Sequence, residues 1–203
     1  MFRLYYADVS DLQDTSEYEI LSTDRRNKLS LLRPSLNRKQ SIGAELLLIR
    51  ALLDMGVKAT LPLNIHREPE GKPYCPDLPV HFSFSHSGVI AACALADEPV
   101  GLDVQIISEF PPRLAERFFT QDEQSYIREG EDQALRFTEI WTRKESRGKL
   151  TGKGLLESMK NSSVLNPVNG CEFWTRKIGE YTFSLCASQK QPIPEQIIRI
   201  ELP

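Results

Sequence analysis

Three strand-length runs of apolar and small residues follow one another between Val80 and Ile107 with hardly a gap. Val80–Phe84, Val89–Leu95 and Val100–Ile106 each read as strands. Ser85-His86-Ser87-Gly88 reads as a turn joining the first two into a hairpin. The three together are expected to form one compact sheet, which helices must cover.

The flanking sequence supplies those helices. Phe2–Ala7 is aromatic-rich and reads as a further strand, and a polar stretch follows it. Ser35, just after Pro34, is an N-cap. Behind it Ile42, Leu46, Ile49 and Leu53 form one apolar stripe, with Gly56 as the C-cap. Residues 57 to 79 hold five prolines and read mostly as loop. Pro111-Pro112 marks a break, and Thr120 with Glu123 forms a capping box. A long helix is expected over Asp132–Lys149, with Leu135, Thr138, Trp141, Glu145 and Lys149 along one side and Gly152 and Gly154 ending it. In the tail, Tyr181, Phe183 and Leu185 alternate with polar or small residues, as do Ile198, Ile200 and Leu202. This order predicts an α+β fold of two similar halves, 1–108 and 109–203. Each half is a long helix on a small antiparallel sheet, and a site is expected in the cleft between them.

Composition narrows the class. A 203-residue chain with 40% hydrophobic residues and a net charge of -3 is neither disordered, collagenous nor a coiled coil. Its apolar runs are too short to span a bilayer, and Glu45 interrupts the run Ala44–Ile49. The first residues lack a signal-peptide pattern, so a soluble cytoplasmic protein is expected. No pair of Cys75, Cys93, Cys171 and Cys186 has metal or redox spacing, and all four are expected to be reduced and structural. Only His66, His81 and His86 are present, so any metal is expected to be a hard cation held by oxygens. Positive charge is concentrated. Asp24–Arg50 holds seven basic residues against two acids, and Trp141–Lys160 holds six against two. Such patches on an acidic chain suit solvated helix faces, a polyanionic small molecule or an acidic partner. The acidic total and the lack of a nucleic-acid motif argue against nucleic acid.

Three segments carry candidate chemistry. Asp103 is the lone charge in Val100–Ile107 and shares a strand face with Gln105. It reads either as a strand-end Asp in a hydrogen-bonded turn, or as a carboxylate that is paired or on a metal. Glu145 and Lys149, at i and i+4, read either as a surface ion pair or as inward-facing groups beside Trp141. In the second case Glu145 meets Asp103 and the two acids share an Mg²⁺. The third segment combines Lys72, between Gly71 and Pro73, with His86 in its Ser-His-Ser-Gly turn. That turn offers N–H groups and hydroxyls suited to phosphate.

The order Gly71-Lys72-Pro73, Ser83-Phe84-Ser85-His86-Ser87, Gly101-Leu102-Asp103-Val104-Gln105, Trp141 to Lys149 and Gly152-Lys153-Gly154-Leu155 resembles the Sfp-type 4′-phosphopantetheinyl transferases. The resemblance covers about 85 residues, Gly71 to Leu155. It implies the two-halved phosphopantetheinyl transferase fold with coenzyme A in the cleft. It also implies Mg²⁺-dependent transfer of the phosphopantetheine arm to a serine of an acyl or peptidyl carrier protein, releasing 3′,5′-ADP. Carried over by position, Asp103 and Glu145 hold Mg²⁺, with Gln105 or a water beside them. Glu145 deprotonates the serine, and Lys149 stabilises charge on the pyrophosphate. Lys72, Ser85, His86 and Lys144 contact the phosphates or nucleotide, and Arg25, Lys28 and Lys39 (or Arg38) meet the 3′-phosphate. A monomer with no membrane or nucleic-acid partner is expected. Gln105 stands where the family has Glu, Ser83 where it has Asn, and Gly148 interrupts the helix before Lys149. A degenerate homologue that binds coenzyme A or a carrier protein without turnover is the alternative.

Overall fold

In the computed structural model, residues 2–13, 18–109, 111–152, 162–167, 170–188 and 197–203 are described. Lys153, Gly154 and Leu155 of the last motif lie outside them.

The strand block forms as expected, but it divides between two sheets. β1 (Phe2–Asp8), β4 (His81–Ser87), β5 (Ile90–Ala96) and β9 (Ile197–Arg199) make one sheet in the order β4-β5-β1-β9. β5 pairs antiparallel with both β4 and β1, and β9 runs parallel to β1. β6 (Val100–Ile106), β7 (Cys171–Ile178) and β8 (Tyr181–Ser188) make a second, antiparallel sheet in the order β6-β8-β7. The single sheet expected from Val80 to Ile106 is therefore corrected. β6 leaves its sequence neighbours for β8, pairing Asp103 with Ser184 and Gln105 with Thr182. Each sheet thus draws a strand from the other side of residue 108.

The Ser85–Ser87 turn is also corrected. These residues continue β4, opposite Ala92, Ala91 and Ile90, and the reversal falls at Gly88 and Val89, where Gly88 takes φ +54°. The strand persists because its serine hydroxyls find partners across a gap, described below.

Two long helices cover the sheets. α2 (Leu36–Asp54) packs on β5, β4 and β1, and α5 (Gln133–Thr151) on β6 and β8. α2 buries Ile42, Leu46 and Ile49 as expected, but Leu53 is 68% exposed and Leu52 takes the inner position. Tyr5, Ala7, Leu47, Cys93 and Leu95 fill the α2 side of the first sheet. Its opposite face, Leu4, Ile90, Ala92 and Ala94, meets Val100, Leu102, Val104, Phe183 and Leu185 of the second. β5 is buried on both faces, which explains its unbroken apolar sequence.

The loop expected at 57–79 holds only the two-residue strands β2 (His66–Arg67) and β3 (Pro73–Tyr74). The polar stretch before Ser35 contains an unexpected helix, α1 (Thr23–Ser30), capped by Ser22 Oγ accepting the Arg25 N–H. α3 (Pro112–Phe118) starts at the expected break, and α4 (Gln121–Arg128) opens on the Thr120–Glu123 capping box. α5 is capped by Asp132, which accepts from the Leu135 N–H, and ends on Gly152 at φ +73°. The four cysteines are free thiols. Among the described residues no helix is long and apolar enough to cross a membrane.

The close approach of α5 to β6 depends on Gly101. A Cβ there would lie 1.8 Å from the Ser146 carbonyl oxygen and 2.5 Å from the Leu150 nitrogen. These are backbone atoms that move only if the helix moves. Gly101→Ala is expected to cost about 3 kcal/mol, read as a lower urea midpoint.

Candidate active site

The site begins at the junction of the two sheets. β4 and β6 are facing edge strands, yet no backbone ladder joins them. Alternation sends Ser83, Ser85 and Ser87 toward β6. Their hydroxyl oxygens accept the N–H groups of Leu102, Val104 and Ile106 at 3.0, 3.1 and 3.0 Å. Three side chains thus replace a row of carbonyls. They hold the edges apart by a side chain's width and satisfy donors that would otherwise be buried and unpaired.

Asp103 projects into the cleft beside this seam and is only 2% exposed. Its Oδ1 accepts from Ser85 Oγ at 2.7 Å and from Lys149 Nζ at 2.8 Å, and its Oδ2 from Gln105 Nε2 at 3.2 Å. Lys149 Nζ also donates to Ser85 Oγ and to the Phe84 carbonyl. The ion pair of Lys149 is therefore between α5 and β6, with Asp103, and not with Glu145 on its own helix. Asp103 is paired, in line with the second of the two readings of its sequence.

Glu145 lines the same cleft and is half-buried. Among the described residues no hydrogen-bond donor reaches its carboxylate. Burial and then the Asp103 charge push its pKa up to about 7, against a smaller opposing pull from Lys149.

Arg25, Lys28, Arg67, Lys72, Phe84, Ser85, His86, Gln105 and Gly148 complete the walls of a cleft of about 450 Å³. Lys72 Nζ donates to the Leu150 carbonyl at 2.9 Å, tying the β2–β3 hairpin to the last turn of α5, and burial lowers its pKa. Loss of surrounding water lowers the Lys28 pKa, and Arg25 and Arg67 lower it further. Desolvation, then Lys28, Lys149 and Arg25, push His86 down to about 4, so its ring is neutral at pH 7.

Two expected nucleotide contacts are corrected. Lys144 is fully buried on the far side of α5, 2.9 Å from Glu123, and it also donates to the Ser162 carbonyl. The capping-box carboxylate therefore doubles as its counter-ion, and Lys144 does not line the cleft. Lys39 donates to the Ser10 carbonyl, and Arg38 to the Leu29 carbonyl at the end of α1; neither lines the cleft. Trp141, expected inside beside Glu145, is half-buried and instead stacks on Phe137 near Phe119. Arg67 was missed. It sits in the proline-rich stretch and pairs with Asp24 through both carboxylate oxygens at 2.8 Å, and nothing in its local sequence marks it.

A family model described as the 4′-phosphopantetheinyl transferase superfamily matches residues 99–195. The 4′-phosphopantetheinyl transferase AcpT of Salmonella typhimurium is 32% identical over 139 residues, which cover 64% of this chain and 67% of that protein. The chain belongs to the Sfp-type 4′-phosphopantetheinyl transferase family. The 4′-phosphopantetheinyl transferase gsp of Aneurinibacillus migulanus is 31% identical over 156 residues, 76% of this chain and 61% of its own length. For the 4′-phosphopantetheinyl transferase Sfp of Bacillus subtilis the figures are 38% over 97 residues, 46% and 43%. The chain thus spans about half of the length of these two longer relatives.

As for a metal, Asp103 Oδ2 holds only the long Gln105 contact and no donor among the described residues reaches Glu145, so both acids keep oxygen free of the kind a hard cation takes. Gln105 is engaged through both ends of its amide, since Oε1 accepts from Ser87 Oγ at 3.2 Å. It reaches a cation only by releasing one of these contacts. Among the described residues no group of three His, Cys, Asp or Glu side chains could hold a metal, so the residues that would hold a cation here are two acids and this amide.

Two outcomes follow. Ser83→Ala leaves the Leu102 N–H without its acceptor and is expected to cost about 1–3 kcal/mol in urea unfolding. The pKa of Glu145 is raised on folding, so its stabilising contribution is full below its unfolded value of 4.5 and is lost as pH rises through about 7. In thermal melts without divalent ions, Glu145→Gln should therefore gain on the wild type between pH 5 and pH 8. A constant difference across that range would contradict the raised pKa.

Proposed function

We propose that this protein transfers the 4′-phosphopantetheine arm of coenzyme A to a serine of an acyl or peptidyl carrier protein, with Mg²⁺ and with release of 3′,5′-ADP. The observation that carries this reading is the placement of Asp103, Glu145 and Lys149 in one cleft rimmed by cations. A diphosphate with an incoming alcohol needs such a place. Charge neutralisation and alignment matter more in that reaction than covalent help from the protein.

Asp103 and Glu145 would hold the cation, with Gln105 nearby, and the cation when bound would offset charge on the diphosphate. The serine hydroxyl attacks the phosphorus that bears the pantetheine arm. A new phosphorus–oxygen bond forms, the bond to the bridging oxygen breaks, and 3′,5′-ADP leaves with that oxygen. Glu145 takes the serine proton, directly or through water. Lys149, held by Asp103 and Ser85, faces charge developing on the bridging oxygen that leaves with 3′,5′-ADP. Arg25, Lys28, Lys72, Ser85 and His86 receive the donor's phosphates and nucleotide. We further take residues 1–108 and 109–203 as two similar halves that trade one strand each.

A second reading, binding of coenzyme A or a carrier protein without turnover, draws on Gln105, whose amide is occupied by Asp103 and Ser87. Mass spectrometry of apo carrier proteins incubated with coenzyme A, Mg²⁺ and this protein separates the two. The expected result is a carrier that gains the mass of the arm, with 3′,5′-ADP released. Glu145→Ala is expected to lower kcat by roughly 100-fold or more while coenzyme A still binds, the size typical of losing a positioned base. Coenzyme A binding by the wild type with no product at any Mg²⁺ concentration would leave the second reading standing.

A further inference from the structure

Glu45 is the acid that interrupts the apolar run Ala44–Ile49, and it has no solvent contact. A buried carboxylate needs partners, and these come from α1 and its cap. The Ser22 N–H donates to Oε1 at 2.5 Å, and Ser22 Oγ and Arg25 Nε each donate to Oε2 at 3.0 Å. A second hand on Arg25 is Ser41 on α2, whose hydroxyl accepts from Nη1 at 2.8 Å. The guanidinium carbon lies 5.1 Å from the centre of the Phe84 ring, on the strand that carries Ser85. Arg25 is thus gripped along one edge, while its other N–H groups have no partner among the described residues and the side chain lines the cleft.

Electrostatics explains why an acid stands behind it. Arg25 shares the cleft wall with Lys28 and Arg67, and its charge depresses both Lys28 and His86. Such a cluster repels itself before any ligand arrives. A counter-charge within the cleft would occupy the place of the ligand, whereas one on the core side offsets the repulsion and leaves the ligand-facing donors open. Stability alone is a poor reason to bury an ion pair.

We propose that Glu45, with Ser41, is a positioning residue that fixes Arg25 as a clamp for a phosphate group of the donor. This rests on the reading of the cleft as the coenzyme A site. The test is calorimetric titration of coenzyme A into the wild type, Glu45→Gln and Ser41→Ala, with a thermal melt and steady-state kinetics of each. Glu45→Gln is expected to weaken coenzyme A binding roughly 10- to 100-fold, the size of one charge-assisted hydrogen bond, and Ser41→Ala about threefold. In both, KM for coenzyme A should rise while kcat and the KM for the carrier stay near wild type. Ser41→Ala removes one hydroxyl and keeps the test open should Glu45→Gln fail to fold. The proposal is overturned if coenzyme A affinity is unchanged in Ser41→Ala and in any folded Glu45→Gln. It is equally overturned if kcat at saturating coenzyme A falls as far as the affinity does, which is the mark of a general loss of structure. A wild type that binds no coenzyme A would instead remove the reading of the cleft, and this proposal with it.

Discussion

The seam of three serine hydroxyls between β4 and β6 is the constraint on which the remaining geometry depends. Direct backbone pairing of these edges would merge the two sheets into one. Instead Ser83, Ser85 and Ser87 take the β6 donors one by one. The middle serine serves both sides of the junction. Its oxygen accepts the Val104 N–H and the Lys149 ammonium while its proton goes to Asp103. One side chain therefore fixes the register of the seam and the position of the central carboxylate. The departure of Ser83 from the family's Asn lies at the far end of this row, where it still provides an acceptor.

Around this junction charge is arranged in depth. Asp103 and Lys149 neutralise each other at the floor, while no donor among the described residues reaches Glu145. Cations line the wall, and their counter-charges sit behind or beside them: Glu45 in the core for Arg25, Asp24 at the surface for Arg67. A second buried pair, Lys144 with Glu123, lies on the opposite side of α5 and anchors the helix to α4. α5 thus presents one cation, Lys149, to the cleft and spends another on its own footing.

Much of this was legible in the sequence, and the parts that were not have identifiable causes. Long elements with strong periodicity and caps, α2 and α5 above all, declare themselves locally. The convergence of Asp103, Glu145 and Lys149 could be argued from the apolar setting of Asp103 and the inward face of α5. The partner of β6 could not, because β8 begins some 75 residues later and a strand's alternation does not say which strand it joins. α1 was missed because it buries little beyond Arg25 and Leu29 and so has no apolar stripe. Lys144 was misplaced because it was carried over by motif position alone, whereas adjacent helix residues point about 100° apart and Lys144 turns away from the face of Glu145. Its acceptor, Glu123, had already been assigned to a capping box, and sequence gives no sign that one carboxylate fills both roles. Arg67 depends on a two-residue ladder too short to leave a pattern.

The exchange of strands between the sheets orders events during synthesis. A ribosome that has delivered the first 106 residues has made β1, β4, β5 and β6, but β6 then has no β8 and the outer edge of β1 has no β9. Two bare strand edges, one of them carrying Asp103, stay open while roughly 80 further residues emerge. Until β8 and β9 arrive, those edges offer unpaired backbone groups to any other strand.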